Sequence, residues 1–512
     1  MMDINTVKEP ARDISVLDEV DVVVVGGGPA GIGAALASGR TGAKTALIDR
    51  FGSLGGQQTN GLNSVFSLVD PEIHNGLIME IMQRLWDAGA ARKTDKMPGA
   101  MQRGLIARMG TDKLPKRLVE TNYGWWGIGS YFFDIEYYKY MLDAMMREAG
   151  VKVYFHAFAA GAIREGNTLK GVIIEAKEGR RAILGKIVID TTGDGDIAWK
   201  SGAPVMDDSI PLGRRAGGHM GTLTCFYVGG VDVKKYLEFR ANNMADWGQM
   251  YGGHKLVKEA QARGEYIVGD SIILSSMHDV YDSGRVWVMN PMYGPPPGHH
   301  LWMAEEQTKF EVNLRRQAFA VTKLLKENVA GFEKCFVEKT ANYPVTSMHR
   351  LLGEHVVTVA EMREGKSFDD AVAINNQPPD IWEVTGRFGY EILPHDIPYG
   401  ALISKDVDNL MAAGTAMSCG IFTDGGLRYC TPSICTGQAV GTAAGLSAKQ
   451  NISPKKIDVK LVQDTLRKNG AKVSVREVSK ESLEPYRFIK NLGIINKKSS
   501  TVNISEEEIG KY

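Results

Sequence analysis

Apolar and polar positions along the chain alternate between two periods, and the N-terminal stretch shows both. Asp21-Val-Val-Val-Val25 is an unbroken β-branched run, the pattern of a strand buried on both faces in a parallel sheet. It enters Gly26-Gly-Gly-Pro-Ala-Gly31 and then a small-residue segment, Ile32–Arg40, that predicts a helix, with Gly42 placed for a left-handed cap. Lys44–Asp49 predicts a second strand, which completes a β-α-β unit with the glycines between strand and helix. Further on, 134–153 predicts a helix leading to a strand, and 169–176 and 181–184 predict edge-type strands. Ile187–Asp190 predicts another buried strand, ending in Thr-Thr-Gly-Asp-Gly-Asp. From Met206 to Pro398 the character changes: this stretch holds nearly half of the aromatics, a Gly294-Pro-Pro-Pro-Gly298 turn and a long helical pattern over Glu305–Asn328. Leu410–Ala413 predicts a last buried strand meeting Gly414, and a small, Ala-rich helix is expected after Gly437-Gln438. Beyond Lys449 the chain is polar, with a helical pattern near Leu461–Lys468, and no internal repeat is found.

At 512 residues the chain is long enough for two or three domains of roughly 150 residues and a sizeable core. Lys plus Arg and Asp plus Glu number 60 each, so the sequence carries no electrostatic footprint for nucleic acid or an anionic membrane. The 5 cysteines exclude a disulfide scaffold and suit a reducing compartment. The N-terminus is acidic without a signal-like apolar stretch, and the longest apolar run, Val22–Ala37, is glycine-rich and too short to span a bilayer. A cytoplasmic location is therefore expected. Glycine is the outlier, at 58 residues against roughly 7% in an average protein, which points to turns where backbone closely approaches something else.

Gly26-x-Gly28-x-x-Gly31 sits where a dinucleotide fingerprint requires it. The first glycine allows the tight turn, the second lets backbone N–H groups reach a pyrophosphate, and the third lets helix and strand pack closely. Asp49 follows Gly26 by 23 residues, near the spacing of about 20 for an acid that takes ribose hydroxyls. Glycines alone also fit a turn that binds nothing; the flanking strands, the helix and the acid give the pattern its specificity. The acid would repel a 2′-phosphate, which favours FAD or NAD over NADP.

Several further segments carry a family resemblance. Leu54-Gly55-Gly56-Gln57-Gln58-Thr59 resembles the Gly-Gly turn of FAD-dependent oxidoreductases, and Asp134 to Val151 resembles their helix before the adenine-contacting strand. Ile189-Asp190-Thr-Thr192-Gly193-Asp194-Gly195-Asp196 with Gly202-Ala203-Pro204 resembles their second diphosphate-side motif. Ile397-Pro398-Tyr399-Gly400 with Asn409–Gly414 resembles their closing flavin-binding strand, and Arg428 with Gly437–Ala444 the helix whose N-terminus faces the flavin ring. Val228–Asp232 and His349–Gly353 match in the inserted region. The chain is identified as similar, over most of Val20–Ala471, to glutathione-reductase-like FAD-dependent oxidoreductases, on the branch akin to fumarate reductase and succinate dehydrogenase flavoproteins. Two departures stand out: Thr415 where relatives often carry Arg, and Ser347-Met348-His349-Arg350 where they often carry Glu-x-Arg-Arg.

The resemblance implies an α/β fold: a Rossmann-like FAD-binding domain of glutathione-reductase type with an inserted α+β substrate or cap domain. The expected division is 18–68, 134–205 and 399–450 for FAD binding, 69–133 and 206–398 for the insert, and a C-terminal helical extension over 451–512. It implies FAD contacts at Gly26, Gly28, Pro29, Ala30, Gly31, Asp49, Arg50, Gly55, Gly56, Gln57, Thr59, Phe158, Thr192, Gly193, Asp194, Gly414, Thr415, Gly437 and Gln438. Flavin N5 exchanges a hydride while the N1–C2 carbonyl edge gains negative charge, which a helix N-terminus stabilises. Arg428 or Arg350 is then expected to anchor a substrate carboxylate, with His349 or Tyr399 as acid or base. Each has a plainer alternative: a structural ion pair for the arginines, a packed or capping imidazole for His349, a buried ring with its hydroxyl on backbone for Tyr399.

Cys419, Cys430 and Cys435 lack the spacing of a dithiol or iron–sulfur centre and are expected to be buried thiols. His299-His300 lacks a completing acid, so no metal is expected. Trp125-Trp126 with Tyr123 and Tyr131 is either an aromatic wall over substrate or interdomain packing, and the Glu-rich tail at 505–510 is a solvated helix end. The expected reaction is hydride exchange between flavin and a small polar substrate through CH–OH, CH–NH or an activated C=C bond, with the electron acceptor left open. Rival readings are a flavin monooxygenase and a flavoprotein subunit of an electron-transfer complex. An NAD dehydrogenase leaves the later motifs unexplained. No second glycine fingerprint stands on a strand of its own, which argues against a dedicated NAD(P)H domain. The extension after Ala471 is long enough to reach a second subunit in a homo-oligomer.

Overall fold

The computed structural model describes residues 7, 9–67, 69–93, 109–116, 131–207, 222–247, 251–269, 271–293, 302–343, 349–383, 386–389 and 392–491. Trp125-Trp126, Tyr123, the 294–298 turn, His299-His300, Ser347-Met348 and the tail at 505–510 lie outside these residues. The fold is mixed α/β. Its main sheet holds β1 (Val16–Val25), β2 (Thr45–Ile48), β3 (Lys152–Tyr154), β4 (Phe158–Glu165), β5 (Thr168–Ala176) and β6 (Gly179–Asp190), in the order β3-β2-β1-β6-β5-β4. The strands β3, β2, β1 and β6 run parallel, whereas β5 and β4 form an antiparallel meander on β6.

The β-branched run is explained by two cores. Val22 and Val24 face helix α1 (Pro29–Arg40) and its neighbours, while Val23 and Val25 face the meander side. Both faces being dry, no polar residue is tolerated at either parity, and each buried valine contributes about 1.5–3 kcal/mol. The segments 181–184 and 187–190 are one strand, not two. The sequence pattern does not predict the edge strand at 158–165, which moves 168–176 into the sheet interior. Helix α1 begins at Pro29, earlier than Ile32, because proline lacks the N–H that the first turn leaves unpaired. Gly42 takes the left-handed conformation at φ +84°, as expected.

Between the meander and the last strand lies a second sheet. It contains β7 (Thr222–Gly229), β8 (Tyr251–Gly252), β9 (Ile272–Ser275), β10 (Val286–Tyr293) and β11 (Phe336–Thr340), in the order β8-β9-β10-β7-β11. Leu324 and Leu325 of the 25-residue helix Ala304–Asn328 join its core. This sheet lies within the expected 206–398 insert; the division of the chain set out above stands as a proposal.

The last strand, β12 (Leu410–Ala412), pairs with the C-terminal half of β6. The Ala-rich helix expected after Gly437-Gln438 starts earlier, at Cys430; as α2 it runs Cys430–Gln450. Its glycines face α1. A Cβ at Gly437 would fall 2.1 Å from the Ala30 carbonyl oxygen, and one at Gly441 would fall 2.1 Å from that of Ala34. Gly437 and Gly441, at i, i+4 spacing, thus make a groove into which α1 seats backbone to backbone, and Gly445, a further turn on, lies against the Thr41 side chain just past its end.

Candidate functional site

Strand register brings four loops to one edge of the main sheet. Val25 pairs with Ile48 and with Asp190, and Ala412 pairs with Asp190, so four parallel strands end level. The loops beginning at Gly26, Asp49, Thr191 and Ala413 meet there, at the carboxyl edge where open α/β sheets bind ligands. They line a cleft with about 1170 Å³ of free space, part of it open to solvent.

The glycine loop is built as the fingerprint requires. Gly26 has φ +100°, and a Cβ there would lie 2.4 Å from the Thr191 carbonyl oxygen. A Cβ on Gly31 would fall 1.8 Å from the Gly26 carbonyl oxygen. Gly28 is different: its φ of −70° suits any residue, and a Cβ would meet nothing nearer than Gly56 Cα at 4.0 Å. The protein's own packing does not demand glycine at this position. Gly28 is also the N-cap of α1, which has no side-chain cap and no acid in its first turn, so its positive end opens on the cleft. These features fit a pyrophosphate.

Asp49 is buried; its Oδ2 accepts from Gly27 N–H at 2.6 Å and its Oδ1 from Phe51 N–H at 2.7 Å. Burial raises its pKa, against the pull of those N–H donors and of Arg50. Each carboxylate oxygen keeps a second lone pair for a ribose hydroxyl. Burial alone would lower the Arg50 pKa, but Tyr343, Asp194 and Asp196 hold the guanidinium above its ordinary value. Asp190 works structurally. Its carboxylate accepts from Thr192 N–H and Oγ1–H and from the Ile197 and Ala198 N–H groups, which fixes the loop between β6 and the short helix Asp196–Lys200. Thr415 Oγ1 donates to the Gly193 carbonyl at 2.6 Å, which ties the last loop to the third.

Of the residues singled out for FAD, Gly26, Gly28, Pro29, Ala30, Asp49, Arg50, Gly56, Gln57, Phe158, Thr192, Gly193, Gly414 and Thr415 line the cleft. Gly31, Gly55 and Thr59 shape its turns from behind; Thr59 Oγ1 donates to the Leu54 carbonyl. Asp194 accepts from Tyr343 Oη–H at 2.8 Å. Gly437 and Gln438 do not reach the cleft: Gly437 packs on Ala30, and Gln438 Oε1 accepts the Leu77 N–H at 3.0 Å, well inside α2 and not at its N-terminus. The helix end that does face the cleft is Cys430–Ser433, also without a side-chain cap or first-turn acid.

Among the expected catalytic residues the structure brings only Arg428 to the cleft wall, where its guanidinium lies 5.2 Å over the Tyr429 ring. Arg350 is buried and its Nε–H donates to the Cys419 carbonyl at 2.8 Å. The His349 ring stacks on Trp199 at 5.1 Å between centroids and 7° between planes. The buried Tyr399 hydroxyl donates to the Pro454 carbonyl at 2.9 Å, and burial holds its pKa far above the usual phenol range. For His349 and Tyr399 the plainer alternatives describe the contacts observed. The cysteines are free thiols, and burial pushes Cys430 and Cys435 up to about 12. Among the described residues no group of three His, Cys, Asp or Glu could hold a metal ion, and no helix is long and apolar enough to cross a membrane. Sequence reasoning missed Phe51, Ala157, Ala159, Tyr343 and Ser433 on the cleft wall.

Comparison with known proteins places these features in context. The family model described as FAD dependent oxidoreductase matches residues 21–466. Among solved structures, a geranylgeranyl bacteriochlorophyll reductase-like protein from Thermoplasma acidophilum is 15% identical, with 96% of this chain and 95% of that one covered at a TM-score of 0.44. The p-nitrophenol 4-monooxygenase PnpA from Pseudomonas putida DLL-E4 is 13% identical over 94% and 91% of the two chains, at a TM-score of 0.42. A flavoprotein/dehydrogenase from Cytophaga hutchinsonii is 13% identical over 88% and 84%, at 0.40.

Proposed function

Because the chain belongs to the FAD dependent oxidoreductase family, with FAD as its cofactor, we propose that it exchanges a hydride between flavin and a small polar organic substrate. The observation that carries the cofactor's placement is Gly28, whose missing side chain faces the cleft at the uncapped start of α1. Gly26–Ala30 would hold the pyrophosphate and Asp49 the ribose hydroxyls. Bound FAD supplies a ring that takes or gives a hydride at N5 and gains negative charge along its N1–C2 carbonyl edge. Arg428 and the uncapped start of α2 put positive potential on their wall of the cleft. That potential would support reduced flavin, and Arg428 would anchor a substrate carboxylate. The substrate's proton must leave to another acceptor, because Tyr399 holds its hydroxyl on Pro454 and His349 is stacked on Trp199.

The test is the visible spectrum of the purified protein before and after acid precipitation, followed by anaerobic mixing with hydroxy acids, sugars, amines and enoates. The expected result is oxidised-flavin bands, FAD in the supernatant and bleaching by one substrate class. A colourless protein that takes up no added FAD would remove the cofactor reading. Flavin reduced only by NAD(P)H, with oxygen incorporated into product, would replace hydride exchange by monooxygenation.

A further inference from the structure

Tyr343 is contributed by the segment just after β11, far in sequence from every motif of the cleft, yet it is part of the cleft wall. Two loops converge on it. The Arg50 guanidinium, from the loop after β2, lies 4.3 Å from the centre of the Tyr343 ring and 5.1 Å from that of Phe51. The Phe51 and Tyr343 rings meet edge to face at 5.5 Å. On its other side the Tyr343 hydroxyl donates to Asp194 Oδ2 at 2.8 Å, in the loop after β6. The segment is held by backbone as well: Ala341 N–H donates to the Cys225 carbonyl at 3.2 Å and Asn342 N–H to the Asn60 carbonyl at 2.8 Å. Tyr343 therefore bridges the loops after β2 and β6, meeting Arg50 through its ring and hydroxyl and Asp194 through a charge-assisted hydrogen bond.

We propose that Tyr343 is an FAD-binding residue and the latch over the adenosine half of the cofactor, an inference that rests on the cleft being the FAD site. The side of the cleft follows from its neighbours: Arg50 and Phe51 directly succeed Asp49, the acid spaced to take the adenosine ribose. With Tyr343 in place, Arg50 is held against two aromatic faces and cannot swing into solvent, and an adenine entering beside it meets a preorganised apolar and cationic surface. Leaving requires the Asp194 bond to open. The latch thus slows cofactor release without touching the reacting end of the flavin.

The experiment uses full-length apoprotein titrated with FAD and, separately, with ADP, which shares the adenosine and diphosphate of FAD and lacks its riboflavin half. The variants are Tyr343→Phe, which removes the hydroxyl and its polar contacts with Asp194 and Arg50, and Tyr343→Ala, which also removes the ring. The expected result is weaker binding of both ligands by the same factor, about tenfold for Tyr343→Ala and less for Tyr343→Phe, with FAD dissociation faster in step and both apoproteins still folded. Unaltered FAD affinity in both variants would overturn the latch, as would weakened FAD binding with ADP binding unchanged. A wild-type protein that binds no FAD would instead sink the reading of the cleft itself.

Discussion

Replacing Gly28 by alanine separates the two reasons a glycine can be required. The substitution adds one methyl at φ −70° and ψ −175°, where alanine is unstrained, and no protein atom lies closer than 4.0 Å. Alanine is a poorer N-cap than glycine by about 0.5–1 kcal/mol, while the stiffer unfolded chain returns about 0.4–1 kcal/mol. The apoprotein should therefore keep its stability to within about 1 kcal/mol, a melting shift of at most a few degrees. FAD binding should respond differently. A methyl between the backbone and a pyrophosphate oxygen removes one or two hydrogen bonds to a charged group, each worth about 1.5–3 kcal/mol, so Kd should rise about tenfold to several hundredfold or more. Gly26→Ala is the contrasting control: with φ +100° and a Cβ 2.4 Å from the Thr191 carbonyl oxygen, it should destabilise the fold itself by at least about 2 kcal/mol. The assay pairs a flavin titration of each apoprotein, followed by fluorescence quenching, with thermal melting by circular dichroism. Wild-type affinity in Gly28→Ala would refute the claim that this position faces cofactor, and a large loss of apoprotein stability would refute the packing argument.

Other outcomes follow from the same contacts. Arg428→Met should retain its flavin but slow substrate-dependent bleaching at least about tenfold in stopped-flow traces; an unchanged rate would remove Arg428 from the site. Tyr399→Phe loses a buried hydrogen bond to Pro454 and should cost about 1 kcal/mol in urea unfolding with bleaching unaffected, so slow bleaching in a stable Tyr399→Phe protein would restore its role as acid or base. Burial lowers the pKa of His74 to about 3 and of His395 to about 4, so both are neutral in the fold and gain a proton on unfolding below about pH 6.5. Stability is then full above that pH and falls with acid, by about 5 kcal/mol from these two groups between roughly pH 6.5 and 4.5. His278 acts in the same direction, while the buried Asp49 and Asp190 oppose it only where carboxylates titrate. Urea midpoints independent of pH across this range would contradict the assigned burial of the imidazoles.

What could be read in the sequence was what local chemistry determines. A β-branched run, glycines at fixed offsets and an acid 23 residues on each have a cause within one β-α-β unit, and the structure places Gly26, Gly28 and Asp49 on one cleft. The strand at 158–165 escaped because Phe-Ala-Ala-Gly-Ala-Ile has no clean alternation. Gly437 was assigned to cofactor because a glycine that lets a ligand approach and one that lets a helix approach look alike until the partner is seen; here the partner is Ala30. The use of His349 by Trp199 and of Tyr399 by Pro454 depends on tertiary pairing, which no local pattern reports. Tyr343 was missed for the same reason, since it meets Arg50 across nearly three hundred residues of chain.

The long strand β6 has its antiparallel neighbour β5 along its first half and β12, from far downstream, along its second half. During synthesis the first half is satisfied as soon as the meander emerges, but residues 188–190 keep an open edge until 410–412 leave the ribosome. The groove that seats α1 comes later still, with 437–445. Cofactor loading thus waits for residues 410–445 to emerge, and a ribosome-bound chain stopped near residue 400 should present the glycine loop yet retain no flavin.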